Sequence, residues 1–194
     1  MKRLITISFT IILATLSFFA QSSKNAQVRT VPSVDLNKYS GTWYEIAKYP
    51  NRFQKDCVGN TTATYTLKGE GKLEVLNRCL EKDGTVKSAK AAGKVSDKGT
   101  NAKLKVRFAP AFTSFLPFVW ANYWIIDLAD DYSHAVVGTP DRDYFWILSR
   151  RPEIDDATYQ AILRRAEAQG FVPARVVKTP QGLAPGKGSV LNES

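Results

Sequence analysis

The chain has 194 residues, with 27 basic against 18 acidic side chains and 44% hydrophobic residues. This length and apolar fraction are typical of one globular domain with short appendages, and they exclude a largely disordered protein. One histidine and two cysteines are too few for a zinc site of the usual Cys/His type, so we expect neither a metal nor another cofactor. The net charge of +9 leaves nucleic acid, an anionic membrane or plain solubility as explanations.

The N-terminus has the order of parts of a secretory signal peptide. Two basic residues precede an uncharged apolar run over residues 4–20, and the small residues Ala20 and Ser22 predict cleavage after Ser22. An uncleaved membrane anchor is the alternative, for which the run is short. No cysteine follows the run, so we expect a soluble periplasmic or secreted protein without a lipid anchor. Export favours one disulfide between Cys57 and Cys79 over two buried thiols.

After an N-terminal segment at residues 23–34, alternating or β-branched stretches recur at hairpin spacing, separated by turns rich in Gly, Asp, Asn and Pro. The predicted strands are residues 42–49, 61–67, 73–80, 86–95, 103–108, 123–128, 134–138 and 143–150. Short strands without intervening helices predict an all-β fold, an eight-stranded antiparallel up-and-down barrel that leaves no exposed edge.

One helix follows the strands, over about residues 153–169. Its apolar residues at helical spacing predict a face that packs on the outside of the barrel; they are Tyr159, Ile162, Leu163 and Ala166. The barrel and helix together occupy residues 35–178. The remaining residues, 179–194, are rich in Gly, Pro and Ser and are expected to form a flexible tail.

Two motifs give the chain a family resemblance. Gly41-Thr42-Trp43 resembles the G-x-W signature of the lipocalins, and the W-I-L-S-R run ending at Arg150 resembles their third signature. Residues 132–144 resemble the bacterial lipocalin and apolipoprotein D branch, whereas residues 121–127 depart from the second signature. The resemblance implies a calyx in which Gly41, Trp43 and Arg150 are structural residues at the closed end. It also implies a carrier or scavenger of fatty acids, lysophospholipids or similar amphiphiles, acting in envelope maintenance or stress.

Period-two alternation from these motifs predicts the inner wall. The fifth strand is the plainest case, because its apolar residues alternate with Lys103, Lys105 and Arg107, which are assigned to solvent. The predicted ligand-binding residues are Tyr65, Val75, Asn77, Leu104, Val106, Phe108, Tyr144, Trp146 and Leu148. Such a wall suits one long apolar ligand with a polar head, and a barrel filled by its own side chains is the alternative.

The connection at residues 109–120 is uncharged and unusually apolar for a loop. We interpret it as a lid at the open mouth that touches membrane lipid or another hydrophobic partner transiently while ligand enters. Its predicted contact residues are Phe112, Phe115, Leu116 and Phe118. The alternative is that these rings fold inward and complete the cavity.

Other classes of function have little support in the sequence. His134 and the inward-facing Glu45 are the residues to weigh for catalysis, and neither has a recognisable nucleophile nearby, so no enzyme is expected. The basic residues are expected to be spread over solvent faces without a nucleic-acid-binding motif. Basic residues near the mouth, namely Lys48, Arg52 and Lys55, are placed to meet anionic head groups. A haem or pigment carrier and a lipid-modifying enzyme are the remaining alternatives, and the protein is expected to be a monomer or weak dimer.

Overall fold

A computed structural model of the protein describes residues 27–108 and 119–184. Eight antiparallel strands form a closed barrel, so the predicted fold is confirmed, and a ninth, two-residue strand pairs with the end of the first strand. The strands are β1 (Gly41–Lys48), β2 (Cys57–Leu67), β3 (Lys72–Glu81), β4 (Val86–Val95), β5 (Lys103–Arg107), β6 (Ala121–Leu128), β7 (His134–Gly138), β8 (Phe145–Ser149) and β9 (Val177–Lys178). The helices are α1 (Leu36–Tyr39) and α2 (Asp156–Glu167).

The barrel closes through β1, which pairs with both β2 and β8. Residues 41–44 of β1 pair with β2, and residues 44–48 pair with β8, with a register shift between Glu45 and Ala47. An irregularity of this kind bends a strand, which lets β1 leave one neighbour and join the other.

Two groups of buried side chains stabilise this arrangement. The first fills the closed half of the barrel interior around Trp43, Tyr65 and Leu104. The second lies between the outer wall and α2, where Ile46, Val136 and Ile147 meet the helix. The strands β1, β7 and β8 therefore bury both faces, and their sequences are correspondingly apolar on both.

Helix α2 is shorter than predicted but packs on the predicted face. Asp155 caps it by accepting a hydrogen bond from the Thr158 backbone N–H at 2.9 Å. Tyr159, Ile162 and Ala166 are buried against the barrel, as their helical spacing indicates. The chain then reverses near Gly170, which has a φ of +85°.

The predicted disulfide is confirmed. Cys57 at the start of β2 is bonded to Cys79 near the end of β3, with 5.7 Å between the Cα atoms. The bond joins the ends of two neighbouring strands on the side of the barrel where β1 connects to β2.

Residues that follow the barrel are hydrogen-bonded to its strands. Residues 179–184 were expected to begin a flexible tail, but Gln181 donates to the backbone carbonyls of Glu45 and Thr61 at 2.8 and 3.1 Å. Asn60 and Leu183 exchange hydrogen bonds at 2.7 and 2.9 Å. The first residues after the barrel thus find hydrogen-bonding partners on β1 and β2.

Candidate functional site

The closed end of the barrel is built around Trp43 and Arg150. The Arg150 guanidinium lies 3.7 Å from the centroid of the Trp43 ring and donates to the carbonyls of Lys38, Ser40 and Thr42 at 2.5–2.9 Å. The Trp43 indole is fully buried and donates to the Tyr39 carbonyl at 2.8 Å. Arg150 therefore ties the segment containing α1 across the base of the barrel, and its side chain is engaged there rather than in the cavity.

Gly41 is required at this end for two reasons. Its φ of +95° is a conformation that residues with a side chain rarely adopt. A Cβ at this position would also lie 3.3 Å from the Arg150 Nη1 atom. The glycine thus lets the first strand begin directly beside the guanidinium.

A cluster of three buried tyrosines, of which Tyr65 and Tyr123 line the cavity, lies at its floor. The Tyr123 hydroxyl is hydrogen-bonded to the hydroxyls of Tyr39 and Tyr65, at 2.7 and 2.6 Å. Burial raises the pKa of all three phenols well above the usual value near 10. All three are therefore neutral at physiological pH and form a polar, uncharged floor.

Above this floor lies a cavity of about 370 Å³ that opens at the other end of the barrel. This volume is within the roughly 300–1,000 Å³ of ordinary ligand sites. Its middle wall is apolar, and the side chains of Val75, Val106, Val137 and Leu148 line it. Arg52, Phe53, Trp120 and Asp141 surround the mouth.

Eight of the nine residues predicted to bind ligand line this cavity. They are Tyr65, Val75, Asn77, Val106, Phe108, Tyr144, Trp146 and Leu148. Leu104 does not, because it is buried in the interior cluster with Trp43 and Tyr65. Phe108 stands at the rim and is 51% exposed, so its inward assignment holds only in part. The predicted lid residues Phe112, Phe115, Leu116 and Phe118 lie outside the described residues.

A hydrogen-bonded network joins the cavity wall to the mouth. The buried Glu45 carboxylate accepts hydrogen bonds from Gln54 and Thr179 at 2.5 and 2.6 Å, and it forms an ion pair with Lys48 at 3.0 Å. Gln54 in turn accepts from the Trp146 indole at 3.1 Å. Both oxygens of Glu45 are thus engaged, which leaves the carboxylate a structural group rather than an available base.

The basic residues predicted near the mouth are placed differently from one another. Lys48 is buried and paired with Glu45, so the expectation that it meets head groups is wrong. Lys55 is exposed but does not line the cavity. Arg52 is the one lysine or arginine among the described lining residues, and its guanidinium lies 5.0 Å from the Phe53 ring.

The mouth carries a stack of aromatic rings. Tyr144 and Trp146 stack with centroids 5.7 Å apart, and Phe53 lies 5.8 Å from Tyr144. Phe53 is 55% exposed, although large apolar side chains gain free energy when they leave water. An apolar ligand passing through the mouth would cover it.

Several lining residues escaped sequence reasoning, for two reasons. Tyr123 and Ala91 follow from period-two alternation once the register with a neighbouring strand is known. Gln54 and Phe53 lie on a 3-10 turn, Arg52–Gln54, that Asn51 caps with its side chain. Asn51 is a turn signal in the sequence, but no local sequence pattern indicates that this turn folds back towards the cavity.

Two buried polar oxygens in the wall have no hydrogen-bond partner, namely Thr61 Oγ1 and Asn77 Oδ1. Both residues line the cavity. Buried polar atoms are normally satisfied, so these two are suited to a ligand or a water molecule.

The two residues considered for catalysis, His134 and Glu45, do not lie in one site. His134 is half-buried at the start of β7 and does not line the cavity, and burial lowers its pKa. Within residues 27–108 and 119–184, no group of three His, Cys, Asp or Glu side chains is arranged to hold a metal ion. In the same ranges, no helix is both long and apolar enough to cross a bilayer.

An eight-stranded barrel with a closed base, an open mouth and an apolar interior defines a carrier fold for hydrophobic ligands. The sequence profile of the Lipocalin-like domain matches residues 34–181. The chain therefore belongs to the lipocalin family, as the resemblance of its motifs indicates.

The relatives span plants, bacteria and animals. The chain is 36% identical to Temperature-induced lipocalin-1 of Arabidopsis thaliana over 174 residues, covering 88% of this chain and 92% of the relative. It is 38% identical to the Outer membrane lipoprotein Blc of Escherichia coli K12 over 155 residues, covering 79% and 83%. It is 33% identical to Apolipoprotein D of Mus musculus over 190 residues, covering 89% and 95%.

Solved structures share the fold at lower identity. Insecticyanin from the tobacco hornworm Manduca sexta superposes with a TM-score of 0.65 at 19% identity, covering 84% of this chain and 90% of that one. Apocrustacyanin C2 superposes with a TM-score of 0.59 at 18% identity, covering 86% and 85%.

Proposed function

We propose that the protein carries or scavenges an amphiphilic lipid, such as a fatty acid or lysophospholipid, outside the cytoplasm. The observation that carries this proposal is the open cavity of about 370 Å³, with an apolar middle and a mouth that combines exposed aromatic rings with one arginine. An acyl chain fits the middle of such a cavity, and its head group remains at the mouth. Burial of the acyl chain supplies most of the binding free energy, at roughly 0.8 kcal/mol for each methylene group removed from water.

The cellular setting belongs to the same proposal. A signal peptide ending at Ser22 and the Cys57–Cys79 disulfide favour the periplasm or a secreted protein, since disulfides persist in oxidising compartments. The names of two relatives, an outer membrane lipoprotein and a temperature-induced lipocalin, support a role in envelope maintenance or stress. We expect the mature chain to begin at Ser23 and to act as a monomer or weak dimer without enzymatic activity. N-terminal sequencing and light scattering test these points.

The proposal that the cavity is the binding site can be tested by placing a large side chain in it. Ala91 and Ala92 are neighbours on β4, and Ala91 lines the cavity whereas Ala92 lies on the outer side of the same strand. In Ala91→Trp the indole enters the empty space, and binding of the fluorescent fatty acid cis-parinaric acid should weaken by at least about tenfold, or 1.4 kcal/mol. Ala92→Trp is the matched control and should bind like the wild type. Equal binding by the two variants would refute the proposed binding site.

The position of the head group is tested at Arg52. Its guanidinium is exposed at the rim, where it can meet a carboxylate or phosphate. Arg52→Gln should weaken the binding of a fatty acid by up to about fivefold, since an exposed charge pair contributes up to about 1 kcal/mol. It should leave the binding of the fatty alcohol of equal chain length unchanged. An equal effect on both ligands would place the head group elsewhere.

The natural ligand is best identified directly. Native mass spectrometry of protein purified from its own source, followed by lipid extraction, should detect an acyl lipid. A bound tetrapyrrole or carotenoid would instead make the protein a pigment carrier.

A further inference from the structure

The outer wall formed by β3, β4 and β5 concentrates basic side chains. Side chains alternate along these strands, and the residues that line the cavity point inward. The positions between them carry seven basic residues and one acidic residue, Glu74. The seven are Lys72, Arg78, Lys90, Lys94, Lys103, Lys105 and Arg107. The sequence predicts basic residues spread over solvent faces, and sheet pairing brings seven of them from three separate stretches of sequence together on one wall.

The register of the strands aligns three of these lysines. Lys94 is directly opposite Lys72 on β3 and directly opposite Lys105 on β5. Neighbouring strands lie about 4.8 Å apart, so the three side chains leave the sheet within about 10 Å. Like charges directly across a sheet are unfavourable for folding. The row is therefore a cost to stability that an anionic partner would relieve.

Little within the protein neutralises this row. Among the described residues, no acidic side chain lies within ion-pair distance of Lys90, Lys94 or Lys105. Lys72 contacts the exposed Glu70 at 3.3 Å, a pair that solvent weakens. Lys90, Lys94 and Lys105 are thus available to an anionic partner.

A second stretch of the chain, on another side of the barrel, has the opposite charge balance. Residues 68–107 contain eleven basic and five acidic side chains, whereas residues 127–167 contain five basic and nine acidic ones. The second stretch includes α2, which packs on the other side of the barrel against β1, β7 and β8. This asymmetry orients the barrel with its β3–β5 wall towards any anionic surface.

Tryptophan side chains lie among these cations. The Trp120 ring is 4.1 Å from Lys94 Nζ and 5.0 Å from the Arg107 guanidinium, and the Trp124 ring is 4.7 Å from Lys103 Nζ. Arg107 was expected to face solvent, but it is only 6% exposed. Indole rings beside cations are typical of protein surfaces that lie at the lipid head groups.

The wall is continuous with the mouth of the cavity. Trp120 lines the cavity and also a shallow groove of about 560 Å³ on the outer wall. The charged residues that line the groove are Lys68, four basic residues of the wall and one acid, Glu74. A partner bound at this groove would therefore lie beside the opening through which a lipid enters the cavity.

We propose that the β3–β5 wall docks on the head groups of an anionic bilayer. A bilayer leaflet supplies many phosphates in one plane, which matches lysines distributed over the outer face of three strands. The contact lies outside the cavity and goes beyond the proposed lipid binding, because it defines the surface on which the barrel collects or delivers its ligand.

The test compares two triple variants of the mature full-length chain. In Lys90→Gln/Lys94→Gln/Lys105→Gln three cations leave the wall; in the control, Arg29→Gln/Arg151→Gln/Arg164→Gln, three exposed cations leave other surfaces. Co-sedimentation is measured with phosphatidylcholine vesicles that do or do not contain phosphatidylglycerol. The wild type and the control should bind the anionic vesicles, more weakly as salt rises. The affinity of the wall variant for the anionic vesicles should fall by at least about twentyfold, since each lysine at an anionic surface contributes roughly a factor of five.

Three results would overturn the proposal. They are equal losses in the two triple variants, equal binding to vesicles with and without phosphatidylglycerol, and tighter binding of the wall to an acidic polypeptide or an oligonucleotide than to the vesicles. Binding of cis-parinaric acid in solution should be unchanged in the wall variant. Docking and cavity binding can therefore fail independently, and the two proposals are tested separately.

Discussion

The two ends of the barrel use the same kinds of residues for different purposes. At the closed end, aromatic rings are buried and their polar atoms find partners inside the protein, as in Trp43 and the three tyrosines. At the mouth, Phe53 and Phe108 are more than half exposed, and the wall below retains two polar oxygens without partners. Side chains that are buried and hydrogen-bonded within the protein stabilise the fold. Rings that remain exposed and oxygens without a hydrogen-bond partner are available to a ligand. Stability should therefore depend mainly on the closed end and binding on the mouth.

The largest expected effect is on Trp43. Trp43→Ala removes a fully buried indole, its hydrogen bond to Tyr39 and its contact with Arg150, and it should lower the free energy of unfolding by about 3–5 kcal/mol. Trp146→Ala, at the partly exposed mouth, should cost less than half as much and weaken lipid binding instead. Urea unfolding followed by circular dichroism measures both. Equal destabilisation would mean that the two ends do not differ in this way.

The disulfide should have the next largest effect. Cys57→Ala/Cys79→Ala opens a covalent loop with a sequence separation of 22 and should lower stability by about 3 kcal/mol, largely through the entropy of the unfolded chain. Because this effect acts on the unfolded state, binding of cis-parinaric acid by the folded variant should stay within about twofold of wild type. Thermal unfolding and fluorescence titration at a temperature where both proteins are folded test the two statements. A large loss of affinity would show that the bond also shapes the mouth.

The smallest effect concerns pH and the tyrosine floor. Burial raises the pKa of Tyr39, Tyr65 and Tyr123 above the value of the unfolded chain, which is near 10. Their contribution to stability is therefore complete below pH 10 and is lost as pH rises above it, by at most about 1.4 kcal/mol per pH unit for each phenol. Tyr123→Phe removes one of these phenols, so the decline of its stability with pH should be shallower than that of the wild type in urea unfolding at alkaline pH. Identical slopes would mean that these phenols do not govern alkaline unfolding.

Much of the candidate site could be predicted from short-range patterns. Alternation with a period of two depends only on the strand itself, so eight of nine inner-wall residues were placed at the cavity without knowledge of strand pairing. Leu104 also points inward, but its depth in the barrel depends on how β5 pairs with β6, and there it lies in the interior core. Gln54 and Phe53 reach the cavity from a turn, where no periodicity directs side chains.

The amino-acid sequence by itself determined the class of fold, the number and order of the barrel strands, the outer helix and the pairing of its two cysteines. These features follow from periodicity, turn residues and motifs, which are local properties of the chain. Only the tertiary structure decided that Lys48 is buried against Glu45 and that Lys72, Lys94 and Lys105 form one row. Both facts depend on which residues of distant strands and turns face one another, and that is set by closure of the barrel. Much of the excess of basic residues, which come from separate stretches of the sequence, is thereby brought together on one wall.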